Sequence, residues 1–584
     1  MSHERPSPGC RPWHDSIVGL ARYAGIAAML PMLFAARPAA ARAATPAADP
    51  GDREEVRFID EQIAAGWADA GLRPSVPATA GEWCRRVHLD LIGRIPTVAE
   101  LDAYLADSSP VKRATLVGRL LGSDHAEEYA RHWTDVWATL LIGREADNTM
   151  VNRPGMRQWL RAALVANMPY DRFMRELVTA HGVNANRRGV AGFNGAANFL
   201  SGKLSDMGVE NGVLATAKTA QIFLGVQVQC TQCHDHPFNK AKQNQFWELN
   251  SFFRQARALR RFDGGRDVGW VELVDEDFAG EGGDPSRAEV FYERRNGLMQ
   301  IAYPVFLDGS TIAREGWLPN TMPDGTAYGV HRRRELARLI EGSPLFSQAV
   351  VNRIWARFFG HGFTRPIDDF GDHNPPSHPG LLDGLASRFR EGGYDLKELM
   401  RWIVLSEPYQ LSSRTTKQNA GDDPAMGGAV RFSRFYLRQL EAEQLYESLV
   451  TATRADRAVK GEQAARTKDE WLRQFVIAFG TDEGGEATIF NGSIPQVLMM
   501  FNGDLMRRAT AVGGGGFLDQ VAGSPMKNPE KITALYKAAL ARRPTAREKA
   551  AADRILDSRR GDVVGALQDV WWAILNSNEF ILNH

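Results

Sequence analysis

Cys230, Thr231, Gln232, Cys233 and His234 spell the run C-T-Q-C-H. Two thiols at that spacing can each form a thioether to the edge of a porphyrin, and the imidazole that follows then lies under the iron as an axial ligand. The pattern therefore points to covalently attached haem c, with Cys230 and Cys233 as tethers and His234 on the haem iron. The run continues Asp235-His236-Pro237, which supplies donors that a haem tether does not need. Cys230, Cys233 and His236, with a further group such as Asp235, would suit an alternative site for zinc or another transition metal, since thiolate and imidazole are favoured ligands. A third reading joins the two thiols in a small disulfide that braces a loop or serves redox exchange.

A haem held here needs its second axial ligand from elsewhere, because His236 is only two residues from His234 and would have to reach around the ring. His132, in Arg131-His132-Trp133, and His378, in Pro375-Pro376-Ser377-His378-Pro379, are the distal candidates. Each has a plainer reading: His132 on a packed helix face beside Trp133 and Trp137, and His378 as a helix cap. Asp368, Asp369 and Asp372 with His373 form a carboxylate and imidazole cluster, although an Asp-rich loop before a proline turn is more often solvated structure. The residues after the N-terminal segment contain no G-x-S-x-G elbow, phosphate-binding loop, H-E-x-x-H pair or dinucleotide fingerprint.

The chain around these residues is long, balanced and able to fold. At 584 residues it exceeds what one hydrophobic core usually serves, and 44% hydrophobic with 24% charged residues is ordinary for a globular protein. Lys plus Arg and Asp plus Glu are both 70, so no global field draws the chain to nucleic acid. Arg5 and Arg11 precede an apolar stretch over 24–36 and then Ala41-Arg42-Ala43-Ala44, the layout of a secretory signal peptide over 1–43. The apolar stretch falls short of the roughly 20 residues of a membrane span. The expectation is a periplasmic or secreted protein with no integral membrane domain, an uncleaved N-terminal anchor being the alternative. Cleavage would remove Cys10 and leave Cys84, Cys230 and Cys233, too few for a disulfide framework.

The elements that must position the site read as mainly α, two helical regions separated by a small β-rich insert. Helical periodicity begins at Val56, Ile59, Ile63 and Trp67, and Thr97 with Glu100 gives a capping box. Further helices are predicted over 111–121, 127–141, 156–166 and 172–180, and 209–224 leads through Gly225 to the cysteines. Over 256–329 glycine pairs punctuate extended stretches at 268–274 and 299–307. Helices resume at Arg332; Ser343, Pro344 and Gly360 frame one, and His378, Pro379 and Gly392 another. Others are predicted over 396–405, 434–453, 529–541, 545–558 and 563–575. The domains are then 54–255, carrying the C-x-x-C-H run, the insert 256–329, and a second helical region 330–584.

In order, these segments resemble a two-part family abundant in planctomycetes, a cytochrome-type domain called PSCyt-two followed by a companion called PSD-one, both of unknown function. Trp83 to Pro96 (W-C-R-R-V-H-L-D-L-I-G-R-I-P), Arg131-His132-Trp133 and Cys230 to Phe238 (C-T-Q-C-H-D-H-P-F) are similar to the first domain, which closes near Asn250-Ser251-Phe252-Phe253. Arg333 to Leu336, Val351 to Trp355, Phe359-Gly360-His361-Gly362, Pro375 to Pro379, Leu381-Leu382-Asp383, Arg438 to Glu443, Pro495-Gln496 and Leu575 to Phe580 are similar to the second. The resemblance implies an exported protein, and its cytochrome-like label adds weight to haem at Cys230, Cys233 and His234. Family members resemble neighbours of exported sulfatase-like proteins, which implies such partners beside an unidentified redox partner. The leading expectation is thus an exported haem c redox protein or redox enzyme. Its alternatives are a metal-dependent hydrolase or structural metal domain, and a scaffold or carbohydrate-interaction protein with a structural disulfide.

Overall fold

Reciprocal caps start the helices that frame the first region. Thr79 and Glu82 close a capping box at Ala80–Ile92, and Thr97 and Glu100 close another at Val98–Ala106, each satisfying two backbone N–H groups that the first turn leaves without partners. Between them Gly93 turns the chain at φ 76°. A Cβ at that position would lie 2.5 Å from His132 Nδ1, so both the left-handed backbone and the close approach require glycine. The computed structural model describes residues 53–584 except 145–147, 205–211, 237–239, 277–288, 313–330, 460, 462 and 481–493. The leader read over 1–43 lies outside the described residues.

The protein is mainly α, with a small β-rich region over 256–302 between helical parts. The periodic stretches become helices Glu54–Asp69, Lys112–Leu121, Ala126–Ile142, Arg153–Val165 and Tyr170–Val178. Residues Val213–Thr219 continue into a wider π turn at Ala220–Leu224, which ends on left-handed Gly225. Pro344–Phe359 starts on Ser343 and stops at Gly360, φ 81°, as its punctuation predicts. The expected helix over 434–453 starts late: Arg438–Gln439 is a strand paired with Leu582–Asn583, and the helix Ala442–Thr453 begins after the Glu441 cap.

In the β-rich region, Val268–Asp275 is the middle strand of an antiparallel sheet with Ala256–Phe262 on one side and Gly182–Val183, from the first helical region, on the other. A hairpin follows, Val290–Glu293 against Met299–Ala302, with Phe291 opposite Ile301 and Glu293 opposite Met299. The extended stretch expected over 299–307 therefore pairs in the hairpin as far as Ala302, and Val305 forms a separate antiparallel bridge with Thr311. The hairpin turns Tyr292 onto Trp247 of the helix Gln243–Asn250, ring centroids 5.8 Å apart.

Two apolar clusters hold the elements together, and each draws on distant parts of the chain. The first draws on residues from Val56 to Tyr436, with Ala541, and mixes the helices before and after the β-rich region. The second gathers Leu440 to Ile581 and is joined by Leu89 and Ile95. Helix Ala80–Ile92 thus contributes to both, and its charged residues fasten the seam. Arg85 donates to the carbonyls of Leu582 at 3.0 Å and Phe580 at 2.8 Å. Arg86 donates to Leu411 O at 3.0 Å and His584 O at 3.1 Å and lies 3.6 Å over the Phe435 ring. Asp90 accepts from Tyr409 Oη at 2.6 Å, Asn583 Nδ2 at 2.9 Å and the Arg438 guanidinium. Burial pulls both arginines down to about 10, still charged at neutral pH.

Candidate functional site

The cysteine run lies in one tight turn whose backbone is tied down while its reactive groups stay accessible. Gln229–Gln232 form a 3₁₀ turn, closed by Thr231, whose N–H and hydroxyl both donate to Val228 O at 3.0 and 2.6 Å. From beneath, Trp247 Nε1 donates to Gln232 O at 3.0 Å and Gln243 Nε2 to the same oxygen at 3.3 Å. Gln243 Nε2 also reaches Glu293 O at 3.0 Å, which ties the turn to the hairpin. Cys230 and Cys233 are exposed, unbridged thiols.

The three residues after Cys233 face different partners. His234 Nδ1 lies 2.7 Å from the carbonyl oxygen of Asp235. A ring nitrogen that donates there leaves Nε2 as the lone-pair nitrogen. The Asp235 carboxylate accepts from Gln243 N at 3.0 Å and Lys242 Nζ at 3.0 Å; these bonds hold it below its ordinary range. His236 donates its backbone N–H to Ala241 O at 2.9 Å and turns its ring toward His373, with centroids 6.0 Å apart. Among the described residues, no three His, Cys, Asp or Glu side chains are arranged to hold a metal ion.

The Asp-rich loop of the second helical region is laid along both flanks of this turn. Asp368 accepts from Gln227 Nε2 at 3.1 Å and from Gln221, on the approach to the cysteines. Phe370 N donates to Gly225 O at 2.7 Å, and Lys240, beyond the run, pairs with Asp372 at 2.6 Å. Within the loop Asp369 Oδ2 lies 3.0 Å from His373 Nε2. The sequence marks the Asp368 to His373 cluster, but not that it meets His236; the pairing joins residues more than a hundred positions apart and leaves no local signal. Gln243 and Trp247 likewise show only helical periodicity in the sequence.

The two distal histidines lie in packed interiors of their own. His132 is 4% exposed, stands against Gly93 and Trp133, and burial followed by Arg357 lowers it to about 3. His378 occupies the N-cap position of Pro379–Glu391 without a side-chain cap bond, packs on Phe363 and Phe432, and is lowered by burial, then Arg431, to about 4. These neighbours belong to other parts of the fold, and none of them comes from 230–236.

Residues 58–258 match the family model PSCyt2, a protein of unknown function (DUF1549), and residues 332–490 match PSD1, a protein of unknown function (DUF1553). The chain belongs to this two-domain family. No curated protein and no solved structure matches the chain. The cysteine turn and helix Gln243–Asn250 are thus in PSCyt2, and the loop that carries Asp368, Asp369, Asp372 and His373 is in PSD1. The β-hairpin that braces the turn falls between the two matched segments. No helix of the described residues is long and apolar enough to cross a membrane.

Proposed function

We propose that this PSCyt2–PSD1 protein is an exported redox protein or redox enzyme carrying one covalent haem c at Cys230 and Cys233, with His234 as an axial ligand. The observation that carries the reading is the state of the turn: two exposed thiols on a backbone fixed from beneath, followed by an imidazole whose Nδ1 faces a carbonyl. That donor set fits the group. The thiols are open to add across the two vinyl groups of a porphyrin, and the Asp235 carbonyl favours the tautomer that keeps Nε2 for iron.

When bound, the haem would supply one-electron transfer. The chain's own part is to hold the turn rigid and to orient the His234 ring; the Asp235 carboxylate, fixed by Gln243 and Lys242, keeps the main chain after the ring in place. The test is a pyridine haemochrome spectrum of protein made in a host with c-type maturation, taken after acidified-solvent extraction. A retained c-type spectrum that disappears in the Cys230→Ala, Cys233→Ala double variant supports the proposal. No spectrum in a host that matures a control cytochrome overturns it.

A further inference from the structure

The seam between PSCyt2 and PSD1 brings two imidazoles and a carboxylate together outside the haem-binding set. His236 and His373 face each other at 6.0 Å between ring centroids. Two imidazoles on one tetrahedral ion, with metal–nitrogen bonds of about 2 Å, hold their centroids about 5 Å apart, so closure by roughly 1 Å would place one ion between them. The loop is held in position for this by the bond that Phe370 N donates to Gly225 O and by the buried Asp368 carboxylate, which accepts from Gln227 Nε2.

Three features of the loop give His373 the form of a ligand. Its Nε2 faces Asp369 Oδ2 at 3.0 Å, and a carboxylate there favours the tautomer that keeps its proton on Nε2 and presents Nδ1. The Nδ1 edge is left open by Gly371: a Cβ at that position would lie 2.7 Å from Nδ1 and 2.8 Å from Cε1. Asp369 Oδ1 is shielded from solvent and accepts no hydrogen bond, although a buried carboxylate oxygen ordinarily has a partner.

We propose that His236 and His373 bind a divalent first-row transition ion across the domain seam, with Asp369 orienting His373 and balancing the charge. The donor set is imidazole and carboxylate, which suits zinc and its neighbours in the first row better than calcium or magnesium. Asp235 takes no part, because its carboxylate is engaged by Lys242 and Gln243. The site is independent of haem at the cysteines, so each reading can fail alone.

The probe is zinc, titrated calorimetrically into chelator-treated full-length protein. One zinc per chain is expected, with affinity at least 100-fold weaker in His236→Ala and His373→Ala and unchanged in the Cys230→Ala, Cys233→Ala variant. Asp369→Asn should weaken it about 10- to 100-fold, the usual scale for an outer-shell partner. Gly371→Ala keeps every ligand and fills the open edge, so it should weaken zinc as strongly as removing a histidine while circular dichroism stays unchanged. Failure of the wild-type protein to bind zinc overturns the proposal. Binding that survives His373→Ala but is lost with the cysteines overturns it too, by placing the ion in the cysteine turn.

Discussion

The buried seam around Arg85, Arg86 and Asp90 and the exposed turn at Cys230 to His236 are both compact groups of polar residues. The structure separates them by how their hydrogen-bonding capacity is used. Asp90 is 3% exposed and meets three donors, and the two arginines are directed to main-chain carbonyls near the C-terminal strand and around Leu411. At the turn, the bonds from Trp247 and Gln243 go to the Gln232 carbonyl and the Asp235 carboxylate, while the thiols face solvent. A charged motif whose side chains are all engaged closes the fold; one whose reactive atoms are left accessible on a fixed backbone is the place to look for chemistry.

Breaking each region should give opposite results. Asp90→Ala leaves the Arg438 guanidinium buried without its carboxylate and Tyr409 and Asn583 without an acceptor. Removing one partner of a buried ion pair costs about 3–5 kcal/mol, so the urea midpoint should fall steeply or the chain should fail to accumulate. The Cys230→Ala, Cys233→Ala variant, at exposed positions, should stay within about 0.5 kcal/mol of the unmodified haem-free protein while losing every haem adduct by mass spectrometry. A double variant as unstable as Asp90→Ala would show that the turn, too, is a structural fastening.

Acid should act on the interior before it acts on the ion pairs. Burial lowers His88 to about 4, His132 to about 3 and His378 to about 4. Below pH 6.5 the unfolded chain therefore binds protons that the folded chain refuses, and stability falls as pH drops from 6.5 toward 4. A shift of the size of His132's corresponds to a few kcal/mol, by the roughly 1.4 kcal/mol per pKa unit of linkage. Asp60, raised by burial to about 6, opposes this in part, since its stabilisation grows as pH falls through that value. Burial raises Glu441, but Arg357, with His132 and Arg144, more than offsets it and holds the carboxyl at about 2; its contribution is lost only as pH falls below about 4.5 toward 2. Urea midpoints measured from pH 7 to 4 should decline, and a flat profile would contradict the burial of these rings.

Much of the fold was legible because its signals are local. Thr97 with Glu100, Ser343 with Pro344 and Gly360, and the spacing of Val56, Ile59, Ile63 and Trp67 depend on neighbours within a turn or two, and the structure follows them. The late start of Ala442–Thr453 was not legible, because the strand that displaces it pairs with Leu582–Asn583 at the far end of the sequence. The same limit applies to the site. The spacing of Cys230, Cys233 and His234 is a local signal, and the structure folds it into one tight turn, while residue type and flanking residues mark His132 and His378 without saying anything of approach in space. The contact of His236 with His373 arises only when the Asp-rich loop is laid on the turn.

The supports beneath the turn should have intermediate effects. Trp247→Phe removes the indole N–H that donates to Gln232 O but keeps most of the ring surface stacked on Tyr292. One such hydrogen bond contributes about 1 kcal/mol, so in a chain of this length the melting temperature should drop by only about 1 °C. The sharper readout is haem incorporation under the same maturation conditions, which should fall if the fixed backbone presents the thiols and stay unchanged if it serves stability alone.

The smallest effect should come from the bridge that looks most like a clasp between the domains. Lys240 and Asp372 pair at 2.6 Å, but their side chains are 90% and 80% exposed, so water and salt screen the attraction and both long side chains lose freedom in making it. Lys240→Ala should therefore change the urea midpoint by no more than is expected of an exposed pair, and any change should vanish in high salt. The loop is held instead by contacts that salt does not reach, the bond from Phe370 N to Gly225 O and the buried Asp368 carboxylate against Gln227. A large, salt-sensitive loss in Lys240→Ala would reverse that ranking and make the exposed pair the element that keeps His373 beside His236.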